Sequence, residues 1–268
     1  MINLEWQGGI GYGDIVGPIS YAYNLSYQLK EKVNLNLHWK TPIEYLYSDN
    51  TPEPLYKQAE FINDMCEKSG TDVSLNFVFD SNYTERFNNY YQEAYYEDPK
   101  HNEWIVSNQF KHNPVKNKVV VNSTLENIES FKTYSDQRKK WKDEQKEDWV
   151  PLIQNLKNSG YEVVEVGYRT PIKECVEHIR TAEVFLGYHG ATLWLARLIG
   201  IPSLAASNML MREVFMRTHY CGRINPEGVS TDSFQEYISM AYHRNSYYAY
   251  DRDKYKFQNK LLRMIEIL

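Results

Sequence analysis

Cysteine is scarce in this chain. Cys66, Cys175 and Cys221 are far apart and odd in number. They form no disulfide framework, and no Cys/His spacing suits structural zinc. A reducing compartment is the simplest reading, so the expected location is the cytoplasm. No apolar run approaches the ~18 residues that a membrane helix needs. The opening MINLEWQGG lacks the charged-then-apolar pattern of a signal peptide, and the triplets at Asn24, Asn82 and Asn122 therefore carry no glycosylation meaning. Positive charge is not in excess either, since 30 Lys and Arg face 35 Asp and Glu for a net charge of −5. Nucleic acid is not an expected partner.

Tyrosine is abundant, with 23 copies, and aromatics make up 15% of the chain. Biased codon usage explains this, and so does a surface that stacks on sugar rings; composition alone specifies no site.

The patterning reads as α/β. A short strand INLEW leads through a glycine turn to a helix expected over Pro18–Lys30, with Pro18 at its first position. VNLNLHW, residues 33–39, alternates with period two, as a strand does. A helix over about 55–68, the alternating strand DVSLNFVFD and a final strand EWIVSNQF follow, with residues 80–103 read as a loop or irregular helix. The second half runs strand KNKVVVNS, helix 142–158 stopped by Ser159-Gly160, strand YEVVEVG, helix Pro171–Arg180, strand EVFLG, helix ATLWLARLIG and strand IPSLAAS. Strands alternating with helices at this spacing predict a parallel sheet with crossover helices. Two more helices are expected at 231–243 and 252–267. The polar KHNPVKN marks the boundary, giving units 1–113 and 114–250 and a last helix, within 251–268, packing back on the first unit. Two such halves would face one another across a cleft.

Two turns carry chemistry. Gly187-Tyr188-His189-Gly190-Ala191-Thr192 hands a strand to a helix at the carboxyl edge of a sheet. A helix start offers free N–H groups and a positive dipole end to a phosphate. Gly190 would let backbone approach a ligand, with donors from His189 and Thr192 beside Ala191. A plain strand-to-helix turn is the alternative. The other turn, GGIGYGDIVGP, puts Gly11 and Gly13 ahead of Asp14 at a helix mouth. It is no dinucleotide fingerprint, because Val16 stands at the third glycine position and no acid closes VNLNLHW. Asp14 is either a helix-start carboxylate or a general base at an acceptor hydroxyl.

In four places the chain resembles the ADP-heptose lipopolysaccharide heptosyltransferase family of GT-B glycosyltransferases. These are GYGDIVGPISYAYNL, KKWKDEQKEDWVPLIQNLKNSGYEVVEVG, FLGYHGATLWLARLIGIP and CGRINPEGV. The resemblance implies a GT-B-like α/β fold of two facing Rossmann-like domains with a central cleft. It implies Asp14 as catalytic base and a phosphate-binding lysine at Lys139 or Lys140. It implies donor contacts from His189, Gly190, Ala191 and Thr192, Glu227 on the donor ribose, and Gly11 and Gly13 on the acceptor side. Glu227 reads equally as a helix start. His189 stands where the family has an aspartate, and Trp194 where it has a histidine. The implied activity is metal-independent transfer of a sugar from a nucleoside diphosphate sugar to a glycan-type hydroxyl, with no cofactor. Two alternatives stand beside it: a sugar-nucleotide epimerase, and a catalytically inactive GT-B-like protein that binds nucleotide or glycan.

Overall fold

A computed structural model describes residues 1–6, 12–39, 53–67, 69–80, 106–123, 149–167, 169–188, 191–201, 203–206 and 246–249. Within them lie two wholly parallel sheets. The first comprises β1 (Ile2–Trp6), β2 (Lys32–Trp39) and β3 (Asp72–Phe79), side by side in that order. Helix α1 (Tyr12–Leu29) connects β1 to β2, and α2 (Leu55–Cys66) connects β2 to β3. The alternation read in VNLNLHW is real. Val33, Leu35, Leu37 and Trp39 are buried, while Asn34, Asn36 and His38 lie on the opposite, polar face.

The second sheet contains β4 (Lys118–Asn122), β5 (Glu162–Glu165), β6 (Val184–Tyr188), β7 (Ser203–Ala206) and β8 (Ser246–Ala249), in the order β5-β4-β6-β7-β8. Its crossovers are a helix containing 149–158 (α3), α4 (Ile172–Arg180) and α5 (Ala191–Ile199). The chain steps from β4 to β5 in one direction, then returns past β4 to β6. Right-handed crossovers in opposite directions put their helices on opposite faces. Burial on both faces accounts for the unbroken apolar run of β4, where Val119, Val120 and Val121 are all sequestered.

Several expectations change. The helix led by Pro18 begins six residues earlier, at Tyr12, and carries Pro18 inside it. Ile15, Val16, Ile19, Ala22, Tyr23 and Ser26 are all buried, a stripe of helical spacing that runs straight through the proline. That burial outweighs the hydrogen bond that Pro18 cannot donate to the Asp14 carbonyl. The strand expected at EWIVSNQF is absent over its described part. Residues 106–107 are irregular and Asn108–Phe110 form a 3-10 turn. Ser107 N–H bonds the Met65 carbonyl at 2.8 Å, and the Phe110 ring meets Phe61 edge-on, so this segment packs on α2 rather than beside a strand. Strand β8 is not expected from the sequence. The stretches 231–243 and 252–267, where helices are expected, and residues 142–148 lie outside the described residues.

One apolar core joins both halves. It runs from Trp6, Ile15 and Leu35 to Phe185, Leu193 and Ile201. The Glu53 carboxylate, on the first half, accepts the N–H of Ile172 at the start of α4 (3.2 Å). The connecting segment bonds the second half through Asn113 N–H to the Arg180 carbonyl and Val115 N–H to the Thr181 carbonyl, both at 2.8 Å.

Within this core, burial pushes the Cys66 thiol up from its ordinary 9.0. It also pushes the Tyr23 hydroxyl up from 10.0, with the neighbouring Cys66 adding to the shift. Both groups keep their protons longer folded than unfolded. Above their ordinary values the unfolded chain binds fewer protons, so stability falls as pH rises. Urea unfolding at pH 7.5, 9 and 10.5 should therefore show a progressive loss beginning near pH 9. The limiting slope is about 1.4 kcal/mol per pH unit for each group. Cys66→Ala should make that loss shallower; an unchanged slope would remove Cys66 from the account.

Candidate functional site

In an open parallel sheet, ligands bind outside the carboxyl ends of strands, where the chain reverses its direction of travel. Here that point lies between β4 and β6. Asn122 ends β4, Ser123 follows it, and Gly187 and Tyr188 end β6. Helix α5 starts there, with Ala191 and Thr192 as its first two residues.

The polar groups at this edge are organised. Thr192 is 2% exposed and Asn122 is 9% exposed. Asn122 Nδ2 donates to Thr192 Oγ1 across the strand–helix junction. A hydroxyl that accepts from Asn122 keeps its own proton to donate. Ser123 Oγ donates to Glu165 Oε2, at the end of β5, over 3.2 Å. Of these residues Thr192 is expected from the sequence, and Asn122, Ser123 and Glu165 are not. Their signal was available: a polar residue closing an apolar strand stands at a carboxyl edge.

The glycines of this site answer to packing. A Cβ on Gly187 would lie 2.8 Å from Phe185 Cζ and 3.1 Å from Asn122 Cβ. A Cβ on Gly13 would lie 2.8 Å from the Ala191 Cα and 3.2 Å from its backbone nitrogen. The first turn of α1, on the first half, therefore rests directly on the first turn of α5, on the second. This brings Gly13, Ala191 and Thr192 of the expected residues together. Asp14 is the third residue of α1, inside the helix rather than ahead of it.

Gly11, Lys139, Lys140, His189, Gly190 and Glu227 lie outside the described residues. So does Asp251-Arg252-Asp253, whose two-carboxylate spacing bears on the expectation of metal independence. Among the described residues no cluster of three or more metal-ligating side chains occurs. No described helix is long and apolar enough to cross a membrane.

The site thus belongs to a mixed α/β protein with parallel sheets, in which the start of α1 meets the start of α5. Comparison with protein-family models, curated proteins and solved structures yields no match.

Proposed function

We propose that the chain is a glycosyltransferase of GT-B type. It would move a sugar, without a metal, from a nucleoside diphosphate sugar to a hydroxyl of a glycan or related acceptor. The observation that supports this best is the contact of Gly13 with Ala191, where two helix starts from two halves come together. Each helix start carries roughly half a positive charge. Asp14, in the first turn of α1, offsets part of the mutual repulsion of two such ends, and an anion near both would relieve the rest. A diphosphate is such an anion, and as a leaving group it gains negative charge in the transition state. The neighbouring reversal between β4 and β6 is where an α/β sheet takes its ligand.

On this reading the backbone at Gly190, Ala191 and Thr192, together with His189, holds the diphosphate. Lys139 or Lys140 adds a cation and Glu227 meets the ribose. The base that deprotonates the attacking hydroxyl belongs to the first half, and the resemblance assigns it to Asp14.

Thermal unfolding in the presence of UDP, GDP, ADP and their hexose conjugates tests the reading. One nucleotide should stabilise the protein by about 2.7 kcal/mol at 100 times its dissociation constant. Stabilisation by none of them would end the proposal. Stabilisation without release of sugar from any conjugate would favour the inactive, binding-only alternative.

A further inference from the structure

We infer that Glu165 binds the ribose of the donor nucleotide through its 2′- and 3′-hydroxyls. This rests on the function proposed above and gives Glu165 the role that the resemblance gives Glu227.

Two consecutive residues tie Glu165 to the start of α5. Asn122 ends β4 and bonds Thr192, the second residue of α5. Ser123, the next residue of the chain, donates to Glu165 Oε2 at 3.2 Å. Glu165 ends β5, the strand beside β4, and so stands at the same carboxyl edge. Strands β6, β4 and β5 are successive neighbours about 4.8 Å apart. That sets β5 about 10 Å from the strand that leads into α5. The ribosyl phosphate of a nucleotide whose diphosphate lies at the start of α5 spans this distance.

The two bonds lie on opposite faces of the sheet. Val121 pairs with Glu165, and paired residues of neighbouring strands share a face. Ser123, two residues beyond Val121, shares that face, whereas Asn122 points to the face that carries α5. The first half packs on the α5 face, where Gly13 meets Ala191. Ligands of such sheets lie across the carboxyl edge, in the crevice between helices of opposite faces. The donor's hexose must meet an acceptor held by the first half, so it takes the α5 side. The nucleoside is left to the Glu165 side.

The chemistry of Glu165 selects the ribose. A carboxylate accepts hydrogen bonds and donates none, and it repels phosphate, so it meets an uncharged part of the donor that offers hydroxyl donors. Glu165 is exposed, and among the described residues no group hydrogen-bonds its Oε1. Ser123 is 3% exposed. Its buried hydroxyl needs a partner and finds it in Oε2, which holds the carboxylate still. Oε1 and the second lone pair of Oε2 then face a vicinal diol. An acceptor fixed before binding loses little freedom when the ligand arrives.

Equilibrium binding of UDP, GDP and ADP, each beside its 2′-deoxy form, tests the assignment. The parent should bind the ribonucleotide it takes about 10- to 100-fold more tightly than the deoxy form, because a hydrogen bond to a charged group is lost. Glu165→Ala should abolish that preference while binding the deoxy form as the parent does. Glu165→Gln still accepts from Ser123 and should lose most of the preference, which covers the case in which Glu165→Ala folds poorly. A glutamate that only anchored Ser123 would weaken both forms alike, so the ratio is the deciding readout. A parent with no preference for ribose overturns the inference. So does a preference that survives in both Glu165 variants, or one lost only in Glu227→Gln. A loss confined to the hexose conjugates overturns it too, since Glu165 would then hold the transferred sugar. In each of these cases the proposed function stands. A parent that binds none of the nucleoside diphosphates overturns the functional reading and the inference with it.

Discussion

Gly13→Ala is expected to lower the melting temperature, the reverse of what this change does at most helical positions. Glycine in a helix usually costs about 0.5–1 kcal/mol relative to alanine, so its replacement usually stabilises. Here the added methyl would sit 2.8 Å from the Ala191 Cα and 3.0 Å from its Cβ. Neither atom belongs to a side chain that can rotate away, so one helix must shift against the other. Overpacking of this kind costs roughly 1–3 kcal/mol. In a domain of this size each kcal/mol is worth about 2–4 °C. Gly13→Val should cost more than Gly13→Ala, because two further methyl groups enter the same contact. Calorimetry on the two variants decides the matter. A rise in melting temperature for Gly13→Ala would mean that α1 and α5 are not in contact in solution.

Thr192→Asp is expected to separate folding from binding. A carboxylate at the second residue of α5 can still accept from Asn122 Nδ2, as the Thr192 hydroxyl does. Negative charge in the first turn of a helix is favourable by about 0.3–1 kcal/mol, which offsets part of the several kcal/mol that burying it costs. The melting temperature should therefore fall, while the protein stays folded at 25 °C. Binding should not survive. Two like charges about 4 Å apart repel by about 4 kcal/mol at an effective dielectric constant near 20. That corresponds to roughly three decades of affinity for UDP, GDP or ADP. Isothermal titration beside thermal unfolding gives both readouts. Unchanged affinity would place the diphosphate elsewhere.

Much of the fold was legible in the sequence because its two signals are local. Alternation in VNLNLHW gave a strand with one buried face, and the unbroken KVVVN a strand buried on both. Gly160 and Gly200 adopt positive φ, at 87° and 83°, where helices α3 and α5 stop. That conformation favours glycine, which is why both helix ends could be read directly. The turn before Ala191 was likewise visible as a strand handed to a helix.

What only the tertiary structure decided depends on contacts distant in sequence. A proline ordinarily marks a helix start, yet Pro18 lies inside α1, because the burial of Ile15, Val16 and Ile19 outweighs one lost hydrogen bond. Gly13 reads as a flexible turn residue until Ala191, far along the chain, is found against it. Asn36 and His38 read as the solvent side of a strand. Strand register alone sets them beside Glu5 and Asn76 and turns separate polar residues into a hydrogen-bonded row. Local propensity determined the elements; side-chain contacts between elements determined which of their residues share a site.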